Sequence, residues 1–237
     1  MGGIIAAIPG ATAQGLVWGV MALGVYVTYK LLDIADLTVD SSLCTGGATS
    51  AVLILMGMHP LLSLVFAVFA GMLAGLVTGF LHTRLRIPAI LAGILTQLGL
   101  YSINLRIMGK SSVALLRQPV VISLGNIPMA LLIGVLVAAA VVAVMYWFFG
   151  TEKGCSLRAT GANPNMARAQ GINTNANVVL GLMVSNGLVA LSGGLLAQFQ
   201  GSSDINMGRG AIVIGLAAVI IGEVIFSRIF RNFALKL

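Results

Sequence analysis

The chain of 237 residues is 59% hydrophobic and 8% charged, against about 25% charged in an average globular chain, and its mean hydropathy is +1.06. This balance excludes intrinsic disorder and a water-soluble body, and two distant cysteines, Cys44 and Cys155, exclude a disulfide scaffold. The net charge of +7 comes from basic residues scattered singly between apolar runs, which points to a membrane surface as partner and not to nucleic acid.

A helix needs about 20 apolar residues to cross a ~30 Å hydrocarbon core. In chain order, spans are predicted near 12–29, 43–58, 60–81, 87–106, 127–149, 177–199 and 209–227. Ala11-Thr12-Ala13 imitates a signal peptidase site, but no Lys or Arg precedes it and its apolar core, 4–8, is short, so the segment reads as retained. Before the second span, Asp33, Asp36, Thr38, Asp40, Ser41, Ser42 and Thr45 place seven polar groups where hydrophobicity should be rising. Irregular backbone survives at membrane depth only when protein or a water-filled cavity surrounds it. The stretch 34–47 is therefore expected to be a broken, pore-side approach to the second span.

Small residues recur as Gly71-x3-Gly75-x3-Gly79 on the third span and as Gly15-x3-Gly19 on the first. Such spacing lets helix backbones approach closely in lipid. The fourth span carries Gln97 and Asn104, the sixth ends in Gln198 and Gln200, and the seventh holds Glu223. Polar groups in spans either line a cavity or join helices, the latter for about 0.6–2 kcal/mol each. Gln97 and Asp36 are the stronger candidates for a cavity, ahead of Glu223 and the others.

The stretch 104–111 is a near miss for a phosphate-binding loop, with Asn104 where the motif needs Gly, and is read as an interfacial basic turn. His59, before Pro60 in a tight turn, and His82, at a span end, belong to no H-E-x-x-H pattern, and no G-x-S-x-G elbow occurs. Neither a metal site nor catalytic machinery is expected. In the long loop 150–176, Asn163 can cap a helix with Pro164 at its first position and Gly171 at its end. A short helix near 164–170 should offer Met166, Ala167 and Ala169 for contact. Two turns are not stable alone in water, so this helix should dock on something.

Putting that loop inside also places 30–42, 82–86 and 228–237 inside. The inner loops then hold nine basic residues, among them Lys30, Arg84, Arg86, Arg158 and Arg168, against four outside: Arg106, Lys110, Arg117 and Arg209. The excess predicts an outside N-terminus and an inside C-terminus.

Several motifs together resemble the permease subunits of bacterial ABC importers, the ribose and branched-chain amino-acid permease family. Asp36-Leu37-Thr38-Val39-Asp40-Ser41 is similar to that family's D-L-S-V-G-S, with Asp40 in place of Gly. Residues 71–86 resemble its small-residue helix and basic turn. Gly161-Ala162-Asn163 through Gly171-Ile172-Asn173 is similar to its G-G-N-x-x-A-x-x-x-G-I-N loop, and 209–222 resemble its A-A-V-x-x-G segment. The similarity covers about 16–226, and its flavour is nearest to members assigned to tryptophan and tyrosine transport.

The resemblance implies an all-α polytopic bundle of about seven spans with a broken second helix, forming one permease domain over 1–237 in the bacterial inner membrane. It implies that the short helix couples to a cytosolic ABC ATPase through Arg158, Ala162, Asn163, Met166, Ala167, Arg168, Gly171 and Ile172. It gives Asp36, Thr38, Asp40, Ser41, Gln97 and Glu223 to a translocation path, and Arg106, Lys110 and Arg117 to docking of an extracytoplasmic solute-binding protein. A second permease subunit, a homodimer partner, would complete the path. ATP and Mg would belong to the ATPase, leaving this chain without a cofactor and not itself an enzyme. A sparsely polar path favours an amino acid over a sugar. Against the family pattern, the first helix and the closing pair are missing, so the chain reads as cut short at its C-terminus. Two alternatives stay open: a stand-alone channel or secondary carrier using Glu223, and a non-transporting scaffold.

Overall fold

The computed structural model describes residues 2–229 apart from 117, 124 and 126, with side chains described between 8 and 225. Helix α1 (Gly2–Tyr26) runs into a π-helical turn, Val27–Leu31, and is followed by α2 (Val39–Leu55), α3 (Pro60–Arg84) and α4 (Ala89–Met108). Strand β1 (Ser112–Ala114) precedes α5 (Ile127–Gly150), α6 (Glu152–Ala162) and α7 (Pro164–Ala169). Then come α8 (Thr174–Gln200), β2 (Ser202–Asp204) and α9 (Ala211–Ile229). Five segments are long and apolar enough to cross a membrane, and α2 and the 211–225 part of α9 are shorter apolar helices. The expected seven segments and the all-α bundle are borne out.

Three boundaries differ from expectation. The first span is helical through Leu31, so Lys30 belongs to it and not to an inner loop. The irregular stretch is only 32–38, because α2 starts at Val39 and carries Ser41, Ser42 and Thr45 as helical residues. Thr45 Oγ1 donates to the Ser41 carbonyl at 2.8 Å, so its hydroxyl is satisfied within the helix and does not break it. Helix α6 was not expected. Thr151 caps it, its Oγ1 accepting from Gly154 N, directly after the aromatic end of α5.

Helix α8 is the centre of the bundle, packed by α1, α2 and α3, while α5 lies on the flank against α1. The glycine stripe of α3 explains the closest of these contacts. A Cβ on Gly71, Gly75 or Gly79 would run into the α8 backbone at Asn186, Leu182 and Val179. By contrast, Gly15 and Gly19 have nothing within 4 Å of a Cβ, so the same spacing on α1 makes no helix contact in this chain. Ser185 and Ser192, seven residues apart on one face of α8, donate to the carbonyls of Gly24 and Val17 on α1.

At the end where α4 and α8 finish, β1 and β2 pair antiparallel, with Val113 opposite Ser203. Val113 is buried with Ala48, Ala51 and Ile54 of α2, which seats this ribbon on the bundle. Gly109, in the left-handed region, caps α4 with its N–H on the Leu105 carbonyl, so of the 104–111 stretch only 109–111 is a turn and 104–108 end the helix. After β2 the chain folds back until α9 begins beside α2. Asp40 accepts there from Gly210 N (3.1 Å) and Ile212 N (2.9 Å), and so caps α9 from another helix.

Candidate functional site

The loop 150–176 is built from local capping signals. Asn163 Oδ1 accepts from Asn165 N and Met166 N at 3.1 and 3.0 Å, and Pro164 occupies the first helical position of α7. At the other end Gly171 has φ +80°, its N–H donates to the Arg168 carbonyl, and Ile172 N donates to the Ala167 carbonyl. That paired pattern is a Schellman stop, which needs a left-handed residue and therefore favours Gly.

This six-residue helix is propped, not free. Asn177 at the start of α8 donates from Nδ2 to Ser156 Oγ (2.6 Å) and Thr160 Oγ1 (2.8 Å) on α6. Arg168 Nε donates to Thr174 Oγ1 at 2.8 Å. Gly161 lies so close to the Leu31 carbonyl that any Cβ would collide with it, and Leu157 is buried with Val27, Leu32 and Phe149. The short helices are thereby clamped to the ends of α1, α5 and α8.

Met166 is 60% exposed at the tip, and Ala162, Asn163, Arg168, Ala169 and Gly171 are exposed around it. Ala167 corrects the expectation of an outward face: it is 3% exposed and turned into the protein. Arg158 is half-buried on α6 with its Nη2 donating to Cys155 Sγ, and Ile172 is half-buried. Both cysteines are free thiols.

Of the residues expected along a path, Asp36, Thr38 and Ser41 are packed into a buried seam. Asp36 and Thr38 are 3% and 0% exposed. Asp36 Oδ1 accepts from Thr38 N at 2.9 Å, and its Oδ2 accepts from Asn186 Nδ2 at 2.7 Å. Ser42 Oγ donates to Asn186 Oδ1, and the hydroxyls of Thr38 and Thr78 share a hydrogen bond at 2.8 Å. One cluster thus joins the 32–38 break, α2, α3 and α8. Asp40 caps α9 as described, and so corrects the expectation that it faces a cavity. Ser41 is buried and donates to the Gln97 carbonyl, while Asn104 Nδ2 donates weakly to the Ser41 carbonyl and leaves Asn104 Oδ1 buried without a partner. Gln97 itself is half-buried on α4. A second polar cluster, Gln198 with Ser50 and Ser63, ties the far end of α8 to α2 and α3.

Glu223 on α9 is not isolated: its Oε1 accepts from Lys30 Nζ at 2.6 Å, with both side chains about half-exposed. Arg106 and Lys110 are exposed at the ribbon end, opposite α7 along the bundle. Arg117 lies outside the described residues.

Sequence reasoning missed Asn177, Ser185, Asn186 and Ser192, which join α8 to α6, to α1 and to the 32–38 break. Their signal was a file of polar residues along one long apolar helix.

Comparison with known proteins places this geometry. The family described as "Branched-chain amino acid transport system / permease component" matches residues 8–234. A tyrosine transport system permease protein of Clostridioides difficile is 41% identical over 228 residues, 96% of this chain and 75% of that protein. An uncharacterized protein of Rickettsia prowazekii is 37% identical over 227 residues, 95% of this chain and 80% of that one. The autoinducer 2 import system permease protein LsrC of Yersinia pseudotuberculosis is 30% identical over 223 residues, 90% of this chain and 60% of its own length. No solved structure matches.

Proposed function

Because the chain belongs to the branched-chain amino acid transport system permease family, a non-enzymatic multi-pass component of the bacterial inner membrane, we propose that it is the permease subunit of an ATP-driven importer. The cargo is a small solute delivered by an extracytoplasmic binding protein, an amino acid in preference to a sugar. The tyrosine transport named for the Clostridioides difficile relative supports that choice.

The observation that carries this reading is α7. A helix of six residues has no stability of its own, yet this one is capped at both ends and braced by α6 and α8, with Met166 exposed at its tip. Such a braced knob suits a groove in a cytosolic ATPase, with Arg158 and Arg168 beside the contact. ATP and Mg reside on that partner.

Movement of the knob is carried by α8. The helix is latched to α6 and α7 at Asn177 and Thr174, to α1 at Ser185 and Ser192, and to the 32–38 break at Asn186. A shift of α7 therefore reaches the buried Asp36 cluster without a flexible joint between. Two packings of that seam, exchanged as the ATPase closes and opens, give alternating access. In the conformation described here the seam is closed. Arg106 and Lys110 on the opposite side, together with Arg117, serve docking of the binding protein, for which charge sets orientation and on-rate more than affinity.

Uptake into proteoliposomes containing this chain, its ATPase and its binding protein tests the reading. Tyrosine accumulation that requires internal ATP supports it. Accumulation that ignores ATP and follows a proton or sodium gradient instead supports a secondary carrier.

A further inference from the structure

A cleft of about 700 Å³ opens at the same end of the bundle as α7. It is walled by the 32–38 break, the turn between α3 and α4, the junction of α6 with α7, and the start of α8. A volume of this order falls in the range of small-molecule sites.

Its lining is basic. Arg86 and Arg168 both face it, and among the described residues neither guanidinium forms an ion pair. Arg168 uses Nε on Thr174 Oγ1, and Arg86 is exposed. His82, also in the wall, donates from Nδ1 to the Ile87 carbonyl at 2.8 Å, which leaves Nε2 for a second partner. Pro88, the cap of α4, and Thr174, the first residue of α8, put the N-terminal ends of two long helices at the cleft, where the helix dipoles favour an anion. Asp33 is the one carboxylate in the wall.

The backbone at this site is held in an uncommon form. Asp33 (φ 55°) and Arg86 (φ 56°) are the two non-glycine residues with positive φ among the described residues, and both line this cleft. Such conformations cost free energy and persist only where the surrounding structure over-determines them.

We propose that this cleft binds a phosphate group between Arg86 and Arg168, carried by an anionic phospholipid headgroup or as free inorganic phosphate. Paired guanidinium groups match the several acceptor oxygens of a phosphate better than a single carboxylate would use them. The cleft sits at the basic, inner end of the spans, where a headgroup can reach it. A bound phosphate ties α7, through Arg168, to the α3–α4 turn, through Arg86, and so fixes the position of the knob. This site does not depend on the importer reading.

The test uses the full chain purified in a neutral detergent, with retained lipid read by native mass spectrometry and inorganic phosphate titrated by thermal shift. Retention of added phosphatidylglycerol over phosphatidylcholine assigns a headgroup site, and stabilisation by phosphate alone assigns a soluble anion. In either case Arg86→Gln and Arg168→Gln each weaken binding by roughly tenfold, the size of one lost charge-assisted hydrogen bond. Asp33→Asn strengthens binding by about two- to fivefold, since it removes the opposing charge; a variant that merely disturbed folding would not do so. Arg106→Gln, at the other end of the bundle, leaves binding unchanged. If neither probe binds, or if binding ignores the two Arg→Gln changes, the cleft is not a phosphate site.

Discussion

Asn186 Nδ2 donates to Asp36 Oδ2 at 2.7 Å, so the middle of the most buried helix holds the buried carboxylate of the break before α2. The same amide accepts from Ser42 Oγ at 2.6 Å, and every polar atom of the Asn186 side chain is thereby used. A buried carboxylate is tolerated only with such partners.

Replacing Asn186 by Leu strands Asp36 and Ser42 together. The expected cost is about 1–3 kcal/mol for the unsatisfied buried groups, seen as a lower midpoint of thermal unfolding in detergent. Ser42→Ala removes a smaller share, about 0.5–1.5 kcal/mol. In the double variant the two losses should not add, because both act on one amide.

The two glycine stripes separate in the same assay. Gly75→Leu drives a side chain into the α8 backbone at Leu182 and should abolish the monodisperse peak in size-exclusion chromatography. Gly15→Leu meets open space within this chain, so the folded monomer should survive it. Loss of a dimer in Gly15→Leu alone would place the second permease subunit against α1.

What could be seen in the sequence was what is decided locally. Asn163, Pro164 and Gly171 define α7 because caps act within four residues, and the spacing of Gly71, Gly75 and Gly79 marks a close helix contact whatever the partner. Gly15 and Gly19 carry the same spacing and make no such contact here, so spacing alone does not name a neighbour. The partners of Asp36 and Asp40 were not legible because they lie some 150 and 170 residues away; a carboxylate in an apolar region looks the same whether a cavity or an amide faces it. Helix α6 escaped notice because Gly154 and Gly161 lower its intrinsic propensity. The second of these is required by the approach to Leu31, which no local pattern reveals.

Asp40 stands where the family's pattern has Gly, and the structure gives it a task. Asp40→Ala removes the acceptor for two N–H groups at the start of α9, for which about 0.5–2 kcal/mol is expected. The loss should appear as faster deuterium exchange at residues 210–213, with exchange in α3 unchanged.

Lys30 and Glu223 tie the far end of α9 to the π-helical turn that follows α1. Lys30→Glu alone should loosen α9 and lower the yield of folded protein, and the exchanged pair, Lys30→Glu with Glu223→Lys, should restore it. If Glu223 were a titrating carrier site, the exchanged pair would instead fold normally and lose all uptake.

The most direct measurement is purification of the chain from its native membrane in mild detergent, with co-purifying proteins quantified by mass spectrometry, for the wild type and for Arg168→Glu. The account predicts a cytosolic P-loop ATPase in near-equal amount with the wild type and a marked loss of it with Arg168→Glu, while both chains remain in the membrane. A wild-type chain that emerges intact with no ATPase would contradict it.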